Sequence, residues 1–150
     1  MITPAKDIYA SRSDRGAAII ARQDPVVYAG GTYADGASAQ QIADYERDGF
    51  LFLPNFFSEQ ETATLLREVE RLAQDPATRR REEAIKEPGS DAVRSVFKVH
   101  EISPMLARLA SDARLANIAR QILGSEVYIH QSRVNLKPGF QGKEFYWHSD

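Results

Sequence analysis

The chain has 150 residues, of which 43% are hydrophobic and 27% charged, the proportions of a single soluble globular domain. Its formal net charge is −2, and the arginine run at residues 79–81 is neutralised by Glu82 and Glu83, so neither a nucleic acid nor a membrane partner is predicted. Cysteine is absent, which excludes thiolate metal sites and leaves imidazole and carboxylate as metal ligands. The sequence has no apolar run of membrane-spanning length and no signal-peptide core, so we expect a cytoplasmic protein.

The first 37 residues are predicted to form an irregular N-terminal arm. They contain three turn-forming pairs, Asp24-Pro25, Gly30-Gly31 and Asp35-Gly36, and one short apolar cluster at residues 26–28. We expect the arm either to be partly disordered or to lie across the main body by burying that cluster. The main domain is expected to begin at residue 38.

Two predicted helices carry the same N-terminal signature. Ser38 followed by Gln41, and Ser58 followed by Glu61, have the form of capping boxes, in which the two side chains satisfy free backbone N–H groups. The second helix is predicted to extend over about residues 59–74. Four apolar residues are expected to form its buried face: Leu65, Leu66, Val69 and Leu72.

Apolar runs and alternation predict strands in four segments, at residues 50–53, 93–100, 127–136 and 145–150. Gly49 ends the first helix directly before the first of these, which is expected to be a buried strand. Residues 77–92 are predicted to be a charged linker, and residues 104–123 a helix with a break near Ser111. These elements predict an α+β chain whose helical N-terminal part leads into a β-sandwich or jelly roll.

The C-terminal residues contain a His-x-Asp motif, His148 and Asp150. On a strand both side chains leave by one face, where they could bind one metal ion and, with a distant second histidine, form the facial triad of non-haem Fe(II) oxygenases. The alternative is a strand end whose His and Asp satisfy turn hydrogen bonds. His100 and His130 are interpreted as structural or surface residues, because neither has a carboxylate at metal-binding spacing.

The predicted strand before the motif carries its polar side chains on one face. Gln131, Arg133 and Asn135 alternate with Val134 and Leu136. This concentration of polar groups indicates a pocket lining if the face is buried, and otherwise an exposed outer face.

The His-x-Asp motif lies among longer segments that match a known protein family. The matching segments are residues 45–50, 53–57, 94–100, 131–135, 137–140 and 142–150. Together they resemble the ectoine-hydroxylating branch of the phytanoyl-CoA dioxygenase-like family of Fe(II)/2-oxoglutarate oxygenases, and the resemblance covers about residues 38–150. It implies a double-stranded β-helix, the jelly roll or cupin-like fold, of which this sequence would hold the N-terminal helical part and the first core strands.

The resemblance implies an enzyme that uses Fe(II), 2-oxoglutarate and O2. It assigns His148 and Asp150 to the metal and to catalysis, and Lys137 to 2-oxoglutarate, whose negative charge suits an ammonium donor. Asn135 and Phe145 are further candidates for binding the co-substrate. Without the resemblance, Lys137 would be interpreted as a solvated turn lysine.

The implied substrate is ectoine, which would be hydroxylated to 5-hydroxyectoine, a compatible solute of salt-stressed bacteria. The resemblance assigns Gln131 to the ectoine ring. Phe97 and Trp147 are candidates for the substrate side, since an aromatic face could hold the cationic ring. Trp147 points away from the face of its neighbour His148, however, which is more typical of a core anchor.

The resemblance also implies that an intact member runs on for about as many residues again and carries a distal histidine and a 2-oxoglutarate-anchoring arginine. Neither has a counterpart here, so we expect the chain to be the N-terminal half of such an enzyme and to be inactive by itself. Two alternatives stay open: a related dioxygenase acting on another small substrate, and a truncated, non-enzymatic cupin-like binding module. Assembly as a homodimer is also open.

Overall fold

The computed structural model describes residues 16, 19, 21, 24–29, 31–137 and 146. Their elements are, in chain order, α1 Ala39–Asp48, α2 Glu59–Gln74, α3 Pro76–Arg79, β1 Ala84–Lys86, β2 Val93–Phe97, α4 Val99–Ile102, α5 Pro104–Ala110, α6 Ala113–Leu123 and β3 Arg133–Asn135. The strands form one antiparallel sheet in the order β1-β2-β3, which confirms the predicted α+β class. The predicted helix break near Ser111 separates α5 from α6. None of the helices in this described part is long and apolar enough to cross a membrane.

Both predicted capping boxes are present. At α1, Ser38 Oγ accepts a hydrogen bond from the Gln41 N–H at 3.2 Å, and Gln41 Oε1 accepts one from the Ser38 N–H at 2.8 Å. At α2, Ser58 and Glu61 exchange the same two hydrogen bonds at 3.1 and 2.8 Å. Gly49 ends α1 in the left-handed conformation at φ 78°, as its position in the sequence predicts.

The main hydrophobic core lies between α2, the sheet and the helices that follow β2. Its buried residues are Leu72, Val93, Val96, Val99 and Leu106. The half-buried Val134 and Leu136 pack against it, so these two apolar residues lie on one face of the chain, as predicted, and that face is turned toward the main core. Gln131, Arg133 and Asn135 are exposed, which corresponds to the outer-face alternative in this part of the structure. The prediction that Leu66 is buried is wrong: this residue is 55% exposed. Leu65 and Leu72 are the α2 residues that pack in the main core, and residue 66 is rotated about 100° away from 65.

A second core joins the residues before α1 to α6. Ala37, Ile42 and Ile118 are buried there, with half-buried side chains around them. The backbone N–H of Ala37 donates to Gln121 Oε1 at 2.9 Å, and Gln121 Nε2 donates to the Ala37 carbonyl at 3.0 Å. Val27 packs against this second core, although residues 24–29 and 31–37 form neither a helix nor a strand.

The segment predicted to be a buried strand, residues 50–53, is not a strand in the structure. Leu51 and Leu53 pack against the second core, whereas Phe50 and Phe52 are 65% and 75% exposed. The sheet of the described residues contains only β1, β2 and β3, so residues 50–53 have no partner strand within it. An apolar run shows which side chains avoid water, but it does not provide the neighbouring strand that a sheet requires.

Three other predictions need correction. The strand predicted over 93–100 ends at Phe97, because Lys98 takes a left-handed conformation at φ 50° and α4 begins at the next residue. The strand predicted over 127–136 is reduced to Arg133–Asn135. The segment 77–92, predicted to be a linker, contains most of α3 and all of β1. The strand predicted over 145–150 lies outside the described residues, apart from the exposed Tyr146.

Candidate functional site on the polar face of the sheet

One face of the sheet carries polar and aromatic side chains. In the β2–β3 pair, Ser95 lies opposite Asn135 and Phe97 lies opposite Arg133. Because cross-strand partners point to the same side and side chains alternate along each strand, these four residues share one face, which we call the polar face. Val96 points to the opposite face and belongs to the main core.

Asn135, a predicted co-substrate residue, is held by a neighbour on the adjacent strand. The hydroxyl of Ser95 donates a hydrogen bond to Asn135 Oδ1 at 2.8 Å. Ser95 is buried and Asn135 is exposed, so the carboxamide is fixed from the side of the sheet and open on the side of the solvent. Its Nδ2 group can therefore donate hydrogen bonds to a ligand on the polar face.

Phe97, a predicted substrate-side residue, is covered by a cation. The guanidinium carbon of Arg133 lies 5.4 Å from the centre of the Phe97 ring, within cation–π distance. Phe97 is half-buried and Arg133 is exposed. The polar face therefore contains an aromatic surface that already accepts a positive charge, and a guanidinium that can turn toward a carboxylate.

Gln131, the predicted ectoine residue, lies in the segment that leads into β3 and is exposed. Its neighbour Ser132 is held twice: its carbonyl accepts a hydrogen bond from the Lys98 N–H at 2.8 Å, and its hydroxyl oxygen accepts one from the His100 N–H at 3.2 Å. The Ser132 hydroxyl is also hydrogen-bonded to His100 Nδ1. His100 thus has a structural contact, in line with its interpretation, and His130 is exposed.

An open depression of about 670 Å³ lies beside Gln131. Its lining consists of Ala110, Tyr128, Ile129, His130, Gln131 and Ser132. A separate groove of about 370 Å³ between α2 and α5 contains none of the predicted site residues. The depression is large enough for a small cyclic metabolite, whereas the groove is not connected to the predicted chemistry.

The remaining predicted site residues divide into two groups. Lys137 is exposed two positions after Asn135, and the backbone pairing continues beyond β3, since the Leu136 N–H donates to the Arg94 carbonyl at 2.7 Å. Four others lie outside the described residues: Phe145, Trp147, His148 and Asp150. In the described part of the chain, no three His, Asp or Glu side chains are grouped as metal ligands. The polar face and Lys137 present amide, guanidinium and ammonium donors, a set that suits an anionic dicarboxylate.

Glu83 is an acidic residue that contacts the end of β2. Its carbonyl accepts the N–H of Phe97 at 2.9 Å, and its carboxylate lies 3.3 Å from Arg81 Nε and 3.6 Å from Lys98 Nζ. A hydrogen bond from its own backbone N–H, followed by the charges of Arg81 and Lys98, holds the pKa of Glu83 below its usual value. The carboxylate is therefore ionised and paired, which limits its repulsion of an anionic ligand.

Ser95 was not identified as a site residue from the sequence. Its alternation with Phe97 could have placed both on one face of a strand. The contact with Asn135 depends on the register between β2 and β3, residues that are 40 positions apart in the chain. No local pattern specifies that register.

The chain resembles known proteins over its whole length. A family model described as phytanoyl-CoA dioxygenase (PhyH) matches residues 45–150. The ectoine dioxygenase of Bordetella bronchiseptica is 70% identical over 150 residues, which are 100% of this chain and 49% of that protein. The ectoine dioxygenase of Stutzerimonas stutzeri is 49% identical over 144 residues, 96% of this chain and 48% of that protein. The chain thus spans about half the length of the curated relatives it matches.

The fold also resembles solved structures. A crystal structure of EctD from S. alaskensis with 2-oxoglutarate and 5-hydroxyectoine matches with a TM-score of 0.85 and 49% identity, over 97% of this chain and 51% of that chain. Another, of EctD from S. alaskensis with bound Fe, matches with a TM-score of 0.78 and 51% identity, over 86% of this chain and 46% of that chain. Because the family model covers well over half of its residues, the chain belongs to the phytanoyl-CoA dioxygenase (PhyH) family.

Proposed function

We propose that this chain supplies one part of the active site of an Fe(II)- and 2-oxoglutarate-dependent dioxygenase that hydroxylates ectoine to 5-hydroxyectoine. The observation that carries the proposal is the likeness, at 49% identity and a TM-score of 0.85, to an EctD structure with 2-oxoglutarate and 5-hydroxyectoine. The donors of the polar face and Lys137, and the open depression beside Gln131, provide chemistry that suits these two ligands.

His148 and Asp150 are the proposed iron ligands. An imidazole and a carboxylate suit Fe(II), and the facial triad in which they occur has one further histidine and leaves positions open for the co-substrate. His100 is not assigned to that third position, because its Nδ1 is hydrogen-bonded to Ser132. When bound, the iron together with 2-oxoglutarate and O2 supplies the oxidising chemistry that inserts oxygen into a C–H bond.

Asn135 and Lys137 are the proposed donors to 2-oxoglutarate, and Phe145 is a further proposed co-substrate residue. Both described side chains are exposed and lie two positions apart, so the strand alternation puts them on the same side of the chain. An ammonium and an amide N–H group are suited to hydrogen-bond a carboxylate, and the hydrogen bond from the ammonium is charge-assisted. Their role is to orient the co-substrate beside the metal.

Gln131 and Phe97 are the proposed substrate residues. A carboxamide can both donate and accept, which suits a zwitterionic ring that presents a carboxylate and an amidine. The ring of Phe97 already holds the guanidinium of Arg133 at 5.4 Å, so it can hold another delocalised cation. Both residues would fix the ectoine ring so that one of its carbon atoms faces the metal.

We further propose that residues 38–150 form the first part of a double-stranded β-helix, preceded by an arm at residues 1–37. The described sheet has only three short strands. Residues 50–53 are apolar, and Phe50 and Phe52 are exposed. Both features support further β-structure packing against this part of the chain, since open strand edges and exposed apolar side chains are normally covered.

The test is a chimera. This chain replaces the 150 residues that match it in the B. bronchiseptica ectoine dioxygenase, a protein about twice as long. We expect the chimera, supplied with Fe(II), 2-oxoglutarate and O2, to convert ectoine to 5-hydroxyectoine, and the parent enzyme is assayed beside it. A chimera that folds and binds iron yet forms no product would overturn the proposal.

The same assay separates the alternatives. If the chimera consumes 2-oxoglutarate only with another small cyclic amino acid, the chain belongs to a related dioxygenase. If it binds a metal ion but neither consumes 2-oxoglutarate nor hydroxylates any substrate, the chain is a non-enzymatic binding module. Product identification by mass spectrometry and 2-oxoglutarate consumption therefore need to be measured together.

A further inference from the structure

Ser95 carries a buried hydroxyl group on the polar face, whose other three residues are exposed or half-buried. Its residue surface is 6% exposed, and its only hydrogen-bond partner among the described side chains is Asn135 Oδ1, at 2.8 Å. The two residues are direct cross-strand partners in the β2–β3 register. Burying a hydroxyl is unfavourable unless it is hydrogen-bonded, so Asn135 is the group that compensates this cost.

The contact favours one orientation of the Asn135 carboxamide, because a flipped Nδ2 group could only donate to the Ser95 oxygen and would leave the buried hydroxyl hydrogen without this acceptor. A carboxamide can be turned end for end with little change in shape, which exchanges an acceptor for two donors. Because the Ser95 hydroxyl donates to Oδ1, the oxygen is held toward the sheet and the Nδ2 group is left on the open side. With the opposite orientation, the carbonyl oxygen would face an incoming carboxylate and repel it.

We propose that Ser95 is a positioning residue for co-substrate binding: it presents the Nδ2 donors of Asn135 to a carboxylate of 2-oxoglutarate. The inference rests on the proposed function. In this proposal Ser95 acts through Asn135 and not by its own contact with the co-substrate, since its side chain is buried beside the carboxamide. Its effect is therefore expected only while Asn135 is present, which distinguishes positioning from a general contribution to the sheet.

The experiment measures 2-oxoglutarate binding by calorimetry in the chimera, with Mn(II) in place of Fe(II) and without oxygen. Ser95→Ala should raise the dissociation constant for 2-oxoglutarate about three- to tenfold, the effect of losing one orienting hydrogen bond. Mn(II) affinity and the melting temperature should stay close to those of the unsubstituted chimera. Ser95→Thr, which keeps the hydroxyl on a β-compatible side chain, should restore binding.

Ser90→Ala is the matched control. Ser90 is an exposed serine in the turn between β1 and β2, and its hydroxyl oxygen accepts only a local hydrogen bond, from the Ala92 N–H at 3.0 Å. This variant should leave 2-oxoglutarate binding unchanged. In an Asn135→Ala background, Ser95→Ala should have no further effect on the dissociation constant, because the group that it orients is gone.

Three outcomes overturn the inference. The first is that Ser95→Ala binds 2-oxoglutarate as tightly as the unsubstituted chimera. The second is that Ser95→Ala weakens 2-oxoglutarate binding equally in the presence and in the absence of the Asn135 side chain, as tested in the Asn135→Ala background. The third uses Asn135→Asp, which keeps an acceptor for Ser95 and removes the donors: unchanged 2-oxoglutarate binding in this variant excludes a role for Nδ2. Failure of the unsubstituted chimera to bind 2-oxoglutarate is a different result, because it contradicts the proposed function itself.

Discussion

Glu68 shows how a single carboxylate connects two helices. Its Oε1 accepts hydrogen bonds from Arg71 at 2.7 Å and from Ser103 at 2.6 Å, and its Oε2 accepts a second one from Arg71 at 2.7 Å. The hydrogen bonds from Arg71, helped by that from Ser103, lower the pKa of Glu68 from 4.5 to about 2, against the opposing effect of burial. Ser103 is the N-cap of α5, so ionised Glu68 joins α2 to the start of that helix.

We predict that Glu68→Gln destabilises the chimera at neutral pH by about 1–2 kcal/mol, since the amide offers only one acceptor to Arg71 and Ser103. The folded pKa lies below the ordinary value of 4.5, so this contribution is complete above about pH 4.5 and is lost as the pH falls toward 2. The stability difference from the unsubstituted chimera should therefore decrease over that window. Urea unfolding at about pH 7, 4 and 3 measures it.

Glu70→Gln is the control for this prediction, because Glu70 is exposed on the same helix. It should change the free energy of unfolding little at any of these pH values. A difference between Glu68→Gln and the unsubstituted chimera that stays constant down to about pH 3 would contradict an ionic origin.

At the proposed site, we predict that His148→Ala and Asp150→Ala each abolish hydroxylation and iron binding in the chimera. Gln131→Ala should keep its iron and lose about ten- to a hundredfold in ectoine affinity, the effect of losing a hydrogen bond to a charged ligand. Metal stoichiometry and an ectoine titration on the three variants measure this, with Gln74→Ala, an exposed glutamine on α2, as control. Loss of iron in Gln131→Ala would disprove the assignment of that residue to the substrate.

At the scale of the element, the sequence predicted those features that depend on near neighbours in the chain. The capping boxes at Ser38 and Ser58 use residues three positions apart, and both were confirmed. The prediction of a strand at residues 50–53 was wrong, and β1 was not predicted. A strand requires a partner strand, and no local sequence pattern shows which segment that partner is. The three residues of β1 have no alternating signature, and their pairing with β2 alone makes them a strand.

The contacts of the candidate site likewise depend on residues that are distant in the chain. Gln131 and Asn135 were proposed from the resemblance, and Phe97 because an aromatic face can hold a cation. The structure adds the register that places Phe97 opposite Arg133 and Asn135 opposite Ser95. Those contacts join residues about 40 positions apart, so periodicity within one segment could not have predicted them. The functional assignments of all these residues stay predictions, as do those of His148, Asp150, Lys137 and Phe145.

The difference between Leu72 and Leu66 on α2 provides a test of the packing. Leu72 is 1% exposed in the main core, whereas Leu66 is 55% exposed. We predict that Leu72→Ala lowers the free energy of unfolding of the chimera by about 2–5 kcal/mol, through lost burial and the cavity that remains. Leu66→Ala should cost less than about 1 kcal/mol. Urea unfolding of the two variants checks this, and equal losses would show that Leu66 is covered in the complete domain.

At the scale of the whole molecule, several large apolar side chains are exposed in segments without helix or strand. Phe50 and Phe52 lie before α2, and Tyr128 and Ile129 lie before β3. Within the described residues, β1 and β3 are the outer strands of the sheet, and each has one edge that pairs with no other strand. Exposed apolar segments and open strand edges promote association unless other structure covers them. This pattern agrees with a chain that forms part of a larger β-sheet domain, as we propose.

We therefore predict that the chain 1–150 by itself self-associates, melts without a cooperative transition and forms no 5-hydroxyectoine, whereas the chimera melts cooperatively. Circular dichroism melts, light scattering and the product assay measure these three properties. The double variant Phe50→Ser/Phe52→Ser should reduce self-association of the isolated chain, because both side chains are exposed in it. In the chimera the same variant should lower stability, because the completed domain would bury those rings. A sharp cooperative melt of monomeric 1–150 would show instead that this chain folds without further structure.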